Sequence, residues 1–154
     1  MAQSFLIGAG VELKYLRISS KTLANVNPII DKSSYWSGFG YLKFDSFDNK
    51  YFPKKGWYFT ADFQSYLFSS DYHNNFKPFS ILKANFSKAI TIWDKITFKF
   101  QTDAGLPIGN DGIPFFNFVL GGYGYNTINN FKPFYGYDFL SVAANSYIKA
   151  LGTI

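Results

Sequence analysis

The residues best equipped for chemistry are few in this chain, and their spacing does not assemble a common reaction. A serine acyl hydrolase of the elbow type needs Gly-x-Ser-x-Gly, which holds the nucleophile on a strained turn beside an oxyanion hole. No such pentapeptide occurs in the 154 residues. Asp111-Gly112 is the partner dipeptide of that chemistry without its nucleophile, and it reads as a turn. His73 is the single histidine, set among asparagines, and there is no cysteine, so neither a metal site nor a nearby triad can be built. Gly121, Gly122 and Gly124 miss the G-x-G-x-x-G register of a phosphate cradle, and no helix pattern follows them. Asp62 and Asp103 would pair only on neighbouring strands. The pattern below puts another strand between them, so they are expected to line a polar face beside Lys83 and Lys99. No catalytic, cofactor-binding or metal-ligating residue is expected in this chain.

The elements around these residues are strands. Aromatic residues make up 22% and charged residues only 16% of the sequence, and strand and turn formers dominate. The formal charge of +5 is spread along the chain without a basic run that could track a phosphate backbone, so nucleic acid is not an expected partner. Mean hydropathy is near zero. No apolar run is long enough for a transmembrane helix, but spanning strands alternate lipid-facing and lumen-facing residues and leave ordinary averages.

Period-two alternation locates the strands. Residues 5–18 place Phe5, Ile7, Ala9, Val11, Leu13 and Tyr15 opposite Gly8, Gly10, Glu12 and Lys14. The opening has neither the basic start nor the small-residue cleavage site of a signal peptide, and it reads as the first strand. Residues 35–47 are strand-like in composition but show no clean polar face. Residues 57–68 set Trp57, Phe59, Ala61, Phe63 and Leu67 against Thr60, Asp62, Gln64 and Tyr66, and residues 79–90 set Leu82, Ala84 and Phe86 against Lys83, Asn85 and Ser87. The cleanest pattern is 96–106, with Ile96, Phe98, Phe100, Ala104 and Leu106 facing away from Thr97, Lys99, Gln101, Asp103 and Gly105. Residues 139–154 are read as one last strand, with Leu140, Val142, Ala144 and Ile148 on one side.

The connections at 48–56 and 91–95 read as short, and those at 19–34, 69–77 and 107–138 as longer. That alternation is the habit of outer-membrane barrels. Trp36, Trp57 and Trp93 fall near strand ends, where interfacial aromatic girdles sit. Residues 113–137 hold too many aromatics for a solvated linker and are expected to fold back into a cavity made by the strands. Gly136 is expected at a close approach to the wall, with Tyr135 and Tyr137 wedged against strand interiors.

Two segments carry a family likeness. The turn through Asp45, Asp48, Phe52, Pro53 and Gly56 resembles the "D-x-x-D-x-x-Y-F-P-x-x-G" turn of the bacterial surface-antigen superfamily, the BamA-like outer-membrane barrels. Pro114, Phe115, Phe118, Gly121 and Gly122 resemble the "P-F-Y-x-x-F-x-x-G-G" opening of that family's inward-folding loop. The loop's close at Phe134, Tyr135, Gly136 and Tyr137 lacks the arginine by which assembly factors reach into the barrel wall. In this it is more like the barrels that follow patatin-like phospholipase domains in outer-membrane proteins of the Bacteroidetes type.

The resemblance implies an all-β, antiparallel transmembrane β-barrel in the bacterial outer membrane. About six strands of a larger barrel of about sixteen would lie in residues 1–154, a fragment whose upstream domains and final strands lie elsewhere. Its partners would be the lipid bilayer and an upstream passenger or periplasmic domain, with no cofactor. The function implied is membrane anchor and translocation pore of a patatin-like protein. The alternatives are the barrel of an assembly or secretion factor, a passive porin or uptake channel, and a soluble glycan-binding β-domain.

Overall fold

The computed structural model describes residues 4–18, 31–70, 76–109, 116–123, 130–139 and 141–154. Five long strands follow one another: β1 (Ser4–Ile18), β2 (Asp31–Asp45), β3 (Gly56–Ser69), β4 (Phe79–Ile92) and β5 (Ile96–Gly109). Three short ones, β6 (Phe118–Leu120), β7 (Phe131–Lys132) and β8 (Val142–Ala144), precede β9 (Tyr147–Thr153). The long strands and β9 form one antiparallel six-stranded sheet in the order β1-β2-β3-β4-β5-β9. Its first five strands have 14 or 15 residues. At about 3.3 Å per residue, this exceeds the roughly 9–11 residues a tilted strand needs to cross a bilayer.

One face of the sheet is apolar and bare. Phe5, Ile7, Val11, Leu13 and Tyr15 of β1 are each more than half exposed, as is Phe100 of β5. The registers align these positions across the sheet, for example Phe5 with Phe44, Phe44 with Phe59, Phe59 with Phe86 and Phe86 with Thr102. The facing expected for β1, β4 and β5 is the facing observed. In β3 the alternation breaks at Leu67, because a bulge opposite Trp36 and Ser37 shifts the register there. Both Leu67 and Phe68 are then exposed. A bulge sets two residues against one and interrupts the two-residue period.

The strand expected at 35–47 begins four positions earlier, at Asp31, and ends at Asp45. Its missing polar face has a structural cause. Tyr35, Phe39 and Tyr41 point to the inner side together with Ser37 and Lys43. There Tyr41 and Phe39 lie over Gly8 and Gly10 of β1, and a Cβ on Gly10 would stand 2.7 Å from the Phe39 ring. The glycines leave room for rings in a face that elsewhere holds polar groups.

The expected final strand, 139–154, is two elements. Residues 142–144 form β8 and pair with β6, while the wall strand begins only at Tyr147. Alternation continued through both and could not show where the chain leaves one sheet for the other. The length alternation of the connections also fails at one pair, since 46–55 is no shorter than 70–78. The 46–55 connection is distinguished by its internal hydrogen bonding.

Candidate functional site on the inner face

The inner face of the wall sheet carries Glu12, Lys14, Ser37, Asp62, Gln64, Lys83, Asn85, Gln101, Asp103 and Lys149, a polar set on an antiparallel sheet that is largely apolar on its other side. The described residues between 116 and 144 fold onto this face. They bring their own small sheet, in which β6 pairs with β7 in parallel and with β8 antiparallel. This long connection therefore has regular structure of its own.

An aromatic cluster fixes this inner segment at one end. Tyr35, Tyr66, Phe79 and Ile81 of the wall pack with Phe116, Phe118 and Leu120 of the segment, all buried. Phe116 meets Tyr66 at 4.5 Å and Tyr35 at 5.1 Å between centroids, and each such pair adds about 0.5–1.5 kcal/mol beyond its buried area. Lys14 approaches the same rings, 5.6 Å from that of Tyr66 and 6.0 Å from that of Phe116. Its ammonium is held by Glu12 at 3.5 Å, and Gln64 donates to Glu12 at 2.6 Å. Phe118 lies over Gly105, where a wall side chain would exclude it, and packs edge-on against Tyr147 at 4.8 Å.

A charged group fixes the segment further along. Asp103 of β5, largely buried, accepts a hydrogen bond from the Tyr147 hydroxyl at 2.7 Å. It pairs with Lys132 of β7 at 3.6 Å and with Lys149 of β9 at 3.5 Å. Lys149 also donates to the Pro133 carbonyl at 3.3 Å, so wall and inner segment share one polar junction. Beside it a cleft of about 410 Å³ remains between them, lined by Asn85, Gln101, Asp103, Pro133, Phe134 and Lys149. Asp62 and Asp103 stand on β3 and β5 with β4 between, as the pattern required.

The sequence reading missed Lys132. Its signal was available: it is the one charged residue in 113–137. An isolated cation among aromatics needs a buried partner.

The loop-motif residues separate into buried and exposed. Phe118 is buried in the cluster. Gly121 (φ +135°) and Gly122 (φ +69°) are both left-handed, and a Cβ on Gly121 would collide with the Asp138 carbonyl. The close approach therefore lies at Gly121. Among the described residues nothing lies within 4 Å of a Cβ built on Gly136 (φ +89°), and that glycine serves backbone conformation. Tyr135 and Tyr137 are more than half exposed and do not wedge into the wall; they pair with Tyr123 at 4.8 Å and with Phe134 at 5.1 Å. Pro114 and Phe115 lie outside the described residues, as do His73, Asp111, Gly112, Gly124 and Leu140.

The turn motif is a hydrogen-bonded knot at the other end of the sheet. Asp45 accepts from the Phe47 amide at 3.0 Å. Asp48 accepts from the Lys54 and Lys55 amides at 2.9 and 3.1 Å, and these donors, that of Lys55 foremost, hold its carboxyl below the ordinary range. Gly56 (φ +111°) passes so near the Ser46 carbonyl that no side chain fits. Pro53 is buried and Phe52 is fully exposed, facing out of the turn. Motif residues thus hold the ends of β2 and β3 together.

A family model of the OMP85 superfamily matches residues 1–154. The chain belongs to that superfamily. No curated protein and no solved structure matches it. Membership agrees with the architecture: an antiparallel wall, apolar outside and polar within, with a long segment laid on its inner face. OMP85 members are outer-membrane barrels of protein insertion and secretion, and the wall sheet is part of such a barrel.

Proposed function

We propose that this OMP85 segment serves as membrane anchor and translocation pore of a patatin-like, self-secreted lipase type of protein in the bacterial outer membrane. The single observation that carries this reading is the close of the inner segment, Phe134-Tyr135-Gly136-Tyr137, which lacks the arginine of assembly factors. The acyl hydrolase domain lies upstream, and this chain contributes no catalytic residue and no cofactor. In the full-length barrel, further strands close the edges that β1 and β9 leave open, since an unpaired edge in lipid strands its amides and carbonyls. The apolar outer face meets the bilayer. The test is deletion of residues 116–144 from the full-length protein in its own host. The lipase domain then fails to reach the cell surface, read by protease shaving, while other outer-membrane proteins keep their heat-modifiable migration.

A second reading, the barrel of an assembly or secretion factor, is favoured by the Lys132–Asp103 junction. It keeps a cation from the inner segment on a wall carboxylate. In that case the same deletion lowers heat-modifiable folding of other outer-membrane proteins. The sequence upstream would then show repeated periplasmic modules in place of a Gly-x-Ser-x-Gly elbow.

A further inference from the structure

On the outer face of β3, β4 and β5, one side chain is charged. The registers place Lys88 of β4 on that face, directly opposite Trp57 of β3 and Phe100 of β5. Phe86 and Ile90 stand two positions away on its own strand, both partly exposed. The remaining outer positions of these three strands are apolar, small or hydroxyl-bearing. Lys88 is exposed, and among the described residues its ammonium has no hydrogen-bond or ion-pair partner. The inner-face lysines differ: Lys14, Lys132 and Lys149 hold carboxylates, Lys83 stands directly opposite Asp62, and Lys43 and Lys99 lie over the Tyr58 and Phe47 rings at 5.3 and 5.9 Å.

The position of Lys88 along the strand is informative. Trp57 follows Gly56 at the close of the 46–55 turn, so the Trp57–Lys88–Phe100 row runs beside the short-turn edge. Trp57 is stacked on Phe44 at 4.1 Å, which holds an amphipathic ring at that level. A lysine stem lies along such rings while its ammonium reaches toward the interface. An ammonium at the margin of an apolar face, with no protein carboxylate on it, calls for a counter-anion from the membrane. The anion available at that depth is a lipid phosphate.

We propose that Lys88, Trp57 and Phe100 form a binding site for the phosphate of an anionic phospholipid of the phosphatidylglycerol class, in the leaflet that meets the short turns. The site rests on the reading that the outer face meets lipid. Lys88 holds the phosphate, and the two rings cover the glycerol and the first acyl methylenes.

The test uses the full-length protein in vesicles, with Trp57 as its sole tryptophan and brominated lipids as quenchers. At equal mole fraction, brominated phosphatidylglycerol quenches Trp57 with an apparent association about fivefold above that of brominated phosphatidylcholine. Lys88→Gln removes that preference, Lys88→Arg keeps it, and Lys95→Gln at the hairpin tip leaves it unchanged. Equal quenching by the two lipids in the wild type, or a preference surviving in Lys88→Gln, overturns the site while leaving the membrane-facing sheet intact. A Trp57 quenched by neither lipid overturns the lipid-facing reading itself.

Discussion

Asp103 on β5 and Lys132 on β7 meet at 3.6 Å, and through them the wall of the sheet is tied to a segment that returns about thirty residues later in the chain. The carboxylate also serves Lys149 and the Tyr147 hydroxyl, so it is the shared acceptor of the junction. Lys132 brings one contact to the junction and Lys149 two, against three at Asp103. The asymmetry predicts unequal damage. Asp103→Ala leaves two largely buried ammonium groups facing each other and costs about 3 kcal/mol or more. Lys132→Met leaves Asp103 with two partners and costs about 1 kcal/mol. Urea unfolding of the full-length barrel in detergent measures both. Equal losses would mean that Asp103 is not the centre of the junction.

The two faces of β5 make opposite demands. Ala104→Arg puts a charge against lipid in the middle part of the outer face of β5 and destabilises by about 2–4 kcal/mol. Gln101→Arg points inward, where Gln101 donates to Ser87, and is nearly neutral. Folded yield in liposomes, read by heat-modifiable migration, separates them. Equal damage would reverse the facing.

Two glycines of the inner segment differ in what surrounds them. Gly121→Ala meets the Asp138 carbonyl as well as a left-handed backbone, and should open the segment to protease in the assembled barrel. Gly136→Ala meets only the strained φ, for about 1–3 kcal/mol of local cost, and should leave the segment protected. Limited proteolysis of the two variants is decisive. A protected Gly121→Ala would remove the close approach from the account.

The turn at 46–55 should loosen in acid. Asp48 has a folded-state pKa below its ordinary 3.8, so its stabilising contribution is complete above that value and is lost as pH falls through the lowered one. Asp48→Asn removes this part of the acid response. The Lys54 and Lys55 amide proton shifts report it directly. Shifts that titrate at or above 3.8 in the wild type would contradict the hydrogen bonds seen here.

The strands of the wall were legible because their outer face is apolar at most positions. Ile96, Phe98 and Phe100 alternate with Thr97, Lys99 and Gln101, and a bilayer on one side and water on the other enforce that period along β5. The turn was legible for a local reason, since Asp45, Asp48 and Gly56 satisfy and shape backbone within a few residues of themselves. What depended on long-range partners was not legible. Phe39 and Tyr41 look outward by type and lie inward because Gly8 and Gly10, some thirty positions earlier, make room for them. Residues 142–144 alternate like the wall strand that follows, and only pairing with β6 assigns them to the inner sheet. Lys132 stands out in the sequence as the lone charge of 113–137, but only folding delivers Asp103 to it. The sequence by itself determined the period, the faces and the turn, which depend on neighbours one to ten residues apart. The tertiary structure decided which rings share a core and which charges share a carboxylate, because those depend on the closing of long loops.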